Sequence, residues 1–148
     1  MIIVFFGQPH SGKTTLASCL ANESISSLHI DGDQLRDLFQ NRDFSREGRI
    51  KNLNRASDIA VYVNSLGIDV ILSLVYPYKE TRNYLDSLCK EVTWIYLVYD
   101  EIRGREKFHV KDFDIPSDIM TINTSECSIE ECFKIIKNEV YSTLSRRY

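Results

Sequence analysis

The sequence has little that punctuates or staples a chain: three prolines, six glycines, one tryptophan and four cysteines in 148 residues, with no Cys-x-x-Cys pair. Without that pairing, and with no leader-like segment at the start, Cys19, Cys89, Cys127 and Cys132 read as buried, inert thiols of a reducing, cytoplasmic compartment. Positive charge is not in excess either. A formal charge of −3 supplies no general field for nucleic acid or anionic membrane, so neither is expected as a partner and any anion site must be local. Long hydrophobic runs are lacking, since Met1 to Phe6 is too short to span a bilayer and reads as a strand. With no repeat, no low-complexity tract and no linker rich in Gly, Pro or Ser, residues 1–148 are expected to form a single domain. A chain of this size buries about two-thirds of its unfolded surface around one core.

What is present is an alternation of short apolar runs with longer amphipathic ones. Ile2 to Phe6, Ser27 to Ile30, Ile68 to Leu74, Val92 to Tyr99 and Ile119 to Ile122 are predicted strands, mostly without period-2 alternation. Strands buried on both faces behave this way, and the helices between them imply a parallel sheet covered on two sides. The predicted helices are Thr14 to Asn22, Gln34 to Gln40, Arg46 to Leu66, Pro77 to Lys90 and Ile129 to Thr143. Pro77 suits a first helical turn, Gly67 a stop, and Ser128-Ile-Glu-Glu131 is a capping box. The expected fold class is α/β, a three-layer α/β/α sandwich on a five-stranded parallel sheet.

Gly7-Gln-Pro-His-Ser-Gly12-Lys13-Thr14 matches the P-loop pattern G-x4-G-K-[ST] and sits where a strand runs into a helix. There backbone N–H groups and a helix N-terminus converge on phosphate oxygens. Gly7 and Gly12 allow the tight turn, Ser11 and Thr15 flank the cradle, Lys13 bridges the β- and γ-phosphates, and the Thr14 hydroxyl ligates Mg²⁺. The expected ligands are ATP and Mg²⁺. His10, inside the loop, is within reach of a phosphate but receives no catalytic role.

A P-loop alone does not separate a switch, a motor and a small-molecule kinase. A second candidate site is His29-Ile-Asp31-Gly-Asp33-Gln-Leu-Arg36, at the end of the second predicted strand, where ligands of parallel sheets gather. One carboxylate could orient a hydroxyl and another hold metal-bound water; equally, an Asp here could simply cap a helix. Downstream, Arg49 and Asn52 stand three residues apart on one helical face with Phe44 just before it. Two arginines and a ring could hold an anion and a base, or form a solvated face.

These residues resemble the adenylylsulfate kinase family, P-loop kinases that phosphorylate the ribose 3′-hydroxyl of adenosine 5′-phosphosulfate. The similarity lies in the P-loop, in Asp31-Gly-Asp33-Gln-Leu-Arg36, in Phe44-Ser45 followed by Arg49-x-x-Asn52-Leu53-x-Arg55, and in Tyr76-Pro77-Tyr78-Lys79. The resemblance implies Lys13 and Thr14 at ATP and magnesium, Asp31 near the metal, and Asp33 orienting or deprotonating the acceptor hydroxyl. It places Arg36, Phe44, Arg49 and Asn52 on the acceptor, with Val75 beside the nucleotide. Tyr76 stands where the family carries serine, so any role of that serine is lost.

The family's long basic lid is mostly missing, its interval filled by residues of about 100–116 alone. What remains resembles the lid's exit, with Phe108 at the ring that stacks on the acceptor base. Phe108 could sandwich a base with Phe44 or be a core aromatic; Arg103 and Arg105 could neutralise phosphate charge or be a solvated loop. A shortened lid suggests a different acceptor, cover supplied by a second copy in a homodimer, or a slow enzyme. Lid-poor relatives found beside capsule biosynthesis genes phosphorylate cytidine diphosphoramidate, an alternative acceptor. A non-catalytic nucleotide-binding switch is the rival from another class.

Overall fold

All five side chains of β1 (Ile2–Phe6) are buried, because each face of the strand meets a layer of helices. A computed structural model describes residues 1–101 and 106–145, with side chains of the last helix through residue 142. After β1 come α1 (Lys13–Glu23), β2 (Ser27–Asp31), α2 (Gly32–Leu38), α3 (Arg46–Ser65) and β3 (Asp69–Ser73). Then follow α4 (Lys79–Leu88), β4 (Val92–Val98), a 3-10 turn at Glu106–Phe108, β5 (Met120–Asn123) and α5 (Ile129–Ser145). The strands form one parallel sheet in the order β2-β3-β1-β4-β5.

The alternation hidden inside β1 sorts the core into two layers. Ile3 and Phe5 pack with Leu16, Leu20, Ile136 and Val140 of α1 and α5. Ile2, Val4 and Phe6 pack with Leu35, Leu53, Ala56 and Leu85 of α2, α3 and α4. This is the three-layer sandwich expected. Neighbouring strands β1 and β3 send their chains in opposite directions, one toward β2 and the other toward β4, which opens a crevice at their carboxyl ends. No helix among the described residues is long and apolar enough to cross a membrane.

Two expectations need correction. Helix α4 does not open at Pro77 but at Lys79, because the Pro77 carbonyl accepts the Asp114 N–H at 2.8 Å and holds the chain extended. The Asp114 carboxylate in turn accepts the Lys79 N–H, capping the helix from a distant segment. Secondly, Cys127 and Cys132 are not free thiols: they are joined as a disulfide, and Cys19 and Cys89 alone remain reduced. The reason is local. Ser128 and Glu131 form the expected capping box, Oγ accepting the Glu131 N–H at 3.2 Å and the carboxylate accepting the Ser128 N–H at 2.8 Å. That geometry brings the residue before the cap against the fourth helical residue, where an apolar pair usually staples the turn; here the staple is covalent.

Closing so short a loop constrains the unfolded chain by about 2 kcal/mol. Replacing both Cys127 and Cys132 by serine is therefore expected to lower Tm by about 4–8 °C for a chain of this size. A thermal melt with and without reductant checks it. An unchanged Tm would mean that the capping box alone holds the start of α5.

Candidate active site

A cleft of about 720 Å³ opens at the carboxyl ends of the strands. One side of it is the P-loop. Gly7, at φ +147°, lies under the loop, where a Cβ would collide with the Leu97 carbonyl. Gly12, at φ +92°, is the left-handed residue from which α1 starts, so that the first N–H groups of the helix face the cleft. His10 is exposed on the rim, and Thr14 and Thr15 line the opening. Ser11 is buried beneath the loop instead of lining it, its Oγ without a hydrogen-bond partner among the described residues. Lys13 is 9% exposed, and its ammonium donates to the Gln8 carbonyl at 2.7 Å.

Asp31 is the end of β2 and the N-cap of α2. Its Oδ1 accepts the N–H groups of Asp33 and Gln34, while Oδ2 accepts the hydroxyls of Thr14 at 2.7 Å and Ser73 at 3.0 Å. Burial, the largest single influence, pushes this carboxyl up; the hydrogen bonds from Thr14, Gln34, Ser73 and Asp33 together outweigh it and hold Asp31 below the usual carboxylate range. Asp31 thus caps a helix, and with its other oxygen it also touches the threonine of the P-loop. Asp33, in the first turn of α2, is exposed and faces the same cleft.

The hydroxyl of Thr14 beside an ionised carboxylate is a hard oxygen pair that fits Mg²⁺, which keeps several waters and takes few protein ligands. No cluster of three metal-ligating side chains occurs among the described residues, and a triphosphate-bound magnesium does not require one.

The opposite side is built by α2, the loop that follows, and the start of α3. Arg36 is buried, donates to the Asn41 side-chain oxygen at 3.2 Å and the Asp43 carbonyl at 3.0 Å, and lies 4.3 Å over the Phe44 ring. Burial and then the charge of Arg49 push its pKa down, so an anion placed between the two arginines would relieve their repulsion. Arg49 donates to the carbonyls of Phe44 at 2.9 Å and Phe108 at 3.2 Å. Asn52 is 3% exposed and lines the cleft, and its Oδ1 finds no donor among the described residues. Val75 lines the floor, its carbonyl accepting the Gly7 N–H at 3.3 Å.

The family model for adenylylsulphate kinase matches residues 1–108. The chain belongs to the adenylylsulphate kinase family. Among its relatives, the adenylyl-sulfate kinase of Thermodesulfovibrio yellowstonii is 36% identical over 99 residues, covering 64% of this chain and 50% of that protein. The adenylyl-sulfate kinase of Chloroflexus aurantiacus is 36% identical over 87 residues, 55% of this chain and 47% of that one. The chain thus spans about half the length of these curated relatives. The fold is shared with the Mycobacterium tuberculosis APS kinase solved with AMPPNP and APS, at TM-score 0.76 and 20% identity over 97% of this chain and 96% of that chain.

Of the residues that the adenylylsulphate kinase pattern sets against an acceptor base, Phe44 and Phe108 meet ring to ring in this structure. The rings of Phe44 and Phe108 touch each other, centroids 4.7 Å apart at 50°. A base between them needs about 7 Å, two van der Waals contacts, so the sandwich is closed. Tyr76, the family's serine position, leaves the site altogether: it is fully buried, its hydroxyl 3.0 Å from Ser57 Oγ and its ring edge-on to Trp94. Arg103 and Arg105 lie outside the described residues. Sequence reasoning missed Thr124, whose hydroxyl donates to the Ser11 carbonyl at 3.0 Å, and Ser73, which joins Asp31 to His29 Nε2 at 2.8 Å. Both lie outside any motif, and adjacency across parallel strands leaves no trace in sequence spacing.

Proposed function

We propose that this chain is an ATP-dependent kinase that phosphorylates a ribose 3′-hydroxyl of an activated, anionic nucleotide, with adenylyl sulfate as the acceptor. The observation that carries the reading is one cleft joining the P-loop to Asp33 and to Asn52, whose buried Oδ1 has no donor among the described residues. Leaving such an acceptor atom unpaired costs about 1–3 kcal/mol, which a donor group on a bound nucleotide would recover. A module that needed only ATP would have no use for this second half of the cleft.

The P-loop amides and Lys13 hold the triphosphate, with Lys13 leaving the Gln8 carbonyl for the β- and γ-phosphate oxygens. Magnesium, held by Thr14 and through water by Asp31, would neutralise charge on those oxygens. Arg36 and Arg49 hold the acceptor's anionic group, and Phe44 and Phe108 its base. The ribose oxygen attacks the γ-phosphorus in line. The new O–P bond forms as the bond to the β-γ bridging oxygen breaks, and the hydroxyl proton passes to the Asp33 carboxylate, leaving ADP. There is little covalent work for the protein beyond placement and charge.

The test is coupled ADP release with Mg²⁺-ATP and either adenylyl sulfate or cytidine diphosphoramidate at equal concentration. Turnover with adenylyl sulfate is expected. Turnover with the cytidine compound alone would keep the chemistry but assign the protein to capsule modification. If neither nucleotide is phosphorylated, a nucleotide-binding switch replaces the kinase reading.

A further inference from the structure

Gln8, the first variable residue of the P-loop, does not line the cleft. Its side-chain amide instead pairs with the backbone of a residue 102 positions away: Nε2 donates to the Val110 carbonyl at 2.7 Å, and Oε1 accepts the Val110 N–H at 3.0 Å. This is the two-point pattern of a strand pair, made by a side chain. Val110 is 4% exposed, so its peptide groups depend on this partner. Meanwhile the Gln8 carbonyl accepts the Lys13 ammonium at 2.7 Å and the Ser11 N–H at 3.3 Å. One residue therefore touches the cation of the donor loop with its backbone and the acceptor-side segment with its side chain.

That segment is a strap. Phe108, two residues before Val110, presents its ring to Phe44 and its carbonyl to Arg49. Two residues beyond Val110, Asp112 accepts from Arg46, which also pairs with Glu80 at 2.6 Å. Further on, the Asp114 carbonyl accepts from Arg82 at 2.8 Å. The strap is pinned to α3 and α4 at its far end and to the donor loop at Val110. Two peptide units separate Val110, held by Gln8, from Phe108.

We propose that Gln8 is a positioning residue that couples the two nucleotide sites: when triphosphate draws Lys13 off the Gln8 carbonyl, the Gln8–Val110 pair moves the strap and resets Phe108 against the acceptor. The inference rests on the kinase reading for the identity of the acceptor, but the tie itself can be read without one. Gln8→Leu removes both hydrogen bonds at similar volume, while Gln8→Glu keeps the bond from the Val110 N–H and loses the one to its carbonyl.

The experiment is hydrogen–deuterium exchange of peptides covering residues 107–114, with and without Mg²⁺-AMPPNP, for the wild type and both variants. In the wild type the analogue is expected to change exchange in this segment as well as in the P-loop. In Gln8→Leu the P-loop response is expected to persist while the strap response disappears, and Gln8→Glu should lie between. Binding of adenylyl sulfate by calorimetry then gives the coupling itself: AMPPNP should tighten it about tenfold in the wild type and not at all in Gln8→Leu, within the range usual for coupled sites. A strap response in Gln8→Leu equal to that of the wild type, or none in the wild type, overturns the proposal. A strap response that is lost as expected, with no binding of adenylyl sulfate by any form, would instead strike at the acceptor reading and leave the tie standing. A Gln8→Leu chain that failed to fold would shift the comparison to Gln8→Glu, for which a wild-type response is equally fatal.

Discussion

Asp33→Ala is expected to reduce phosphoryl transfer by at least about a thousandfold, within the range of a positioned general base, while leaving ATP binding nearly intact. The asymmetry follows from where the two aspartates sit. Asp31 is engaged by two hydroxyls and two backbone N–H groups, and these hold it ionised and fixed. It has no freedom to replace its neighbour. Asp33 stands one helical step further on, exposed to the cleft on the acceptor side of the P-loop. ADP release measures the transfer, and calorimetric titration with AMPPNP measures the binding. Loss of ATP affinity in a folded Asp33→Ala variant would contradict the assignment and move Asp33 to the metal. Asp33→Asn refines the result, since an amide can still orient a hydroxyl but cannot take its proton.

Lys13→Ala is expected to show the complementary pattern, with weaker ATP binding and transfer reduced by about a hundredfold to a thousandfold, the usual cost of removing one preorganised charge from developing oxyanions. Lys13 is nearly buried and sits on the Gln8 carbonyl, so its charge is held close to the loop before any phosphate arrives. Lys13→Arg is expected to recover little, because a planar guanidinium does not replace a compact ammonium in so tight a turn. Kinetics at varied ATP for the two alanine variants separate the roles: KM for ATP rises in Lys13→Ala and stays near the wild-type value in Asp33→Ala. If both variants changed KM alike, donor and acceptor duties would not be divided between the two sides of the cleft.

Much of this was legible in the chain. The five apolar runs became the five strands, because a strand covered on both faces advertises itself by losing alternation. The P-loop was legible because phosphate cradling fixes both residue types and spacing, and the capping box at Ser128 because it is a local contact. The end of the second strand marked Asp31 and Asp33 for the cleft, because ligands of parallel sheets gather there, whereas Arg36, Phe44, Arg49 and Asn52 were set beside them by the family resemblance. What escaped depends on distant contacts. Pro77 lost its helical turn to Asp114, more than thirty residues away. Gln8 occupied a position the motif leaves open, and only the fold brings it to Val110. The disulfide is the exception, for its signal was local: two cysteines flanking a capping box at the spacing of an apolar staple.

The touching rings of Phe44 and Phe108 carry one more implication, concerning the ions that surround the protein. Two arginines beside an open pocket invite inorganic phosphate and sulfate, which can be far more plentiful than any activated nucleotide. An occupant that lodges deep between the rings must first part them, forfeiting about 1 kcal/mol of aromatic contact. On the proposed reading, an acceptor nucleotide would replace that contact with its own flat base. A bare oxyanion brings no ring and replaces nothing. Where the two rings meet, the closed pair therefore favours an occupant that brings a flat ring of its own over one that brings none.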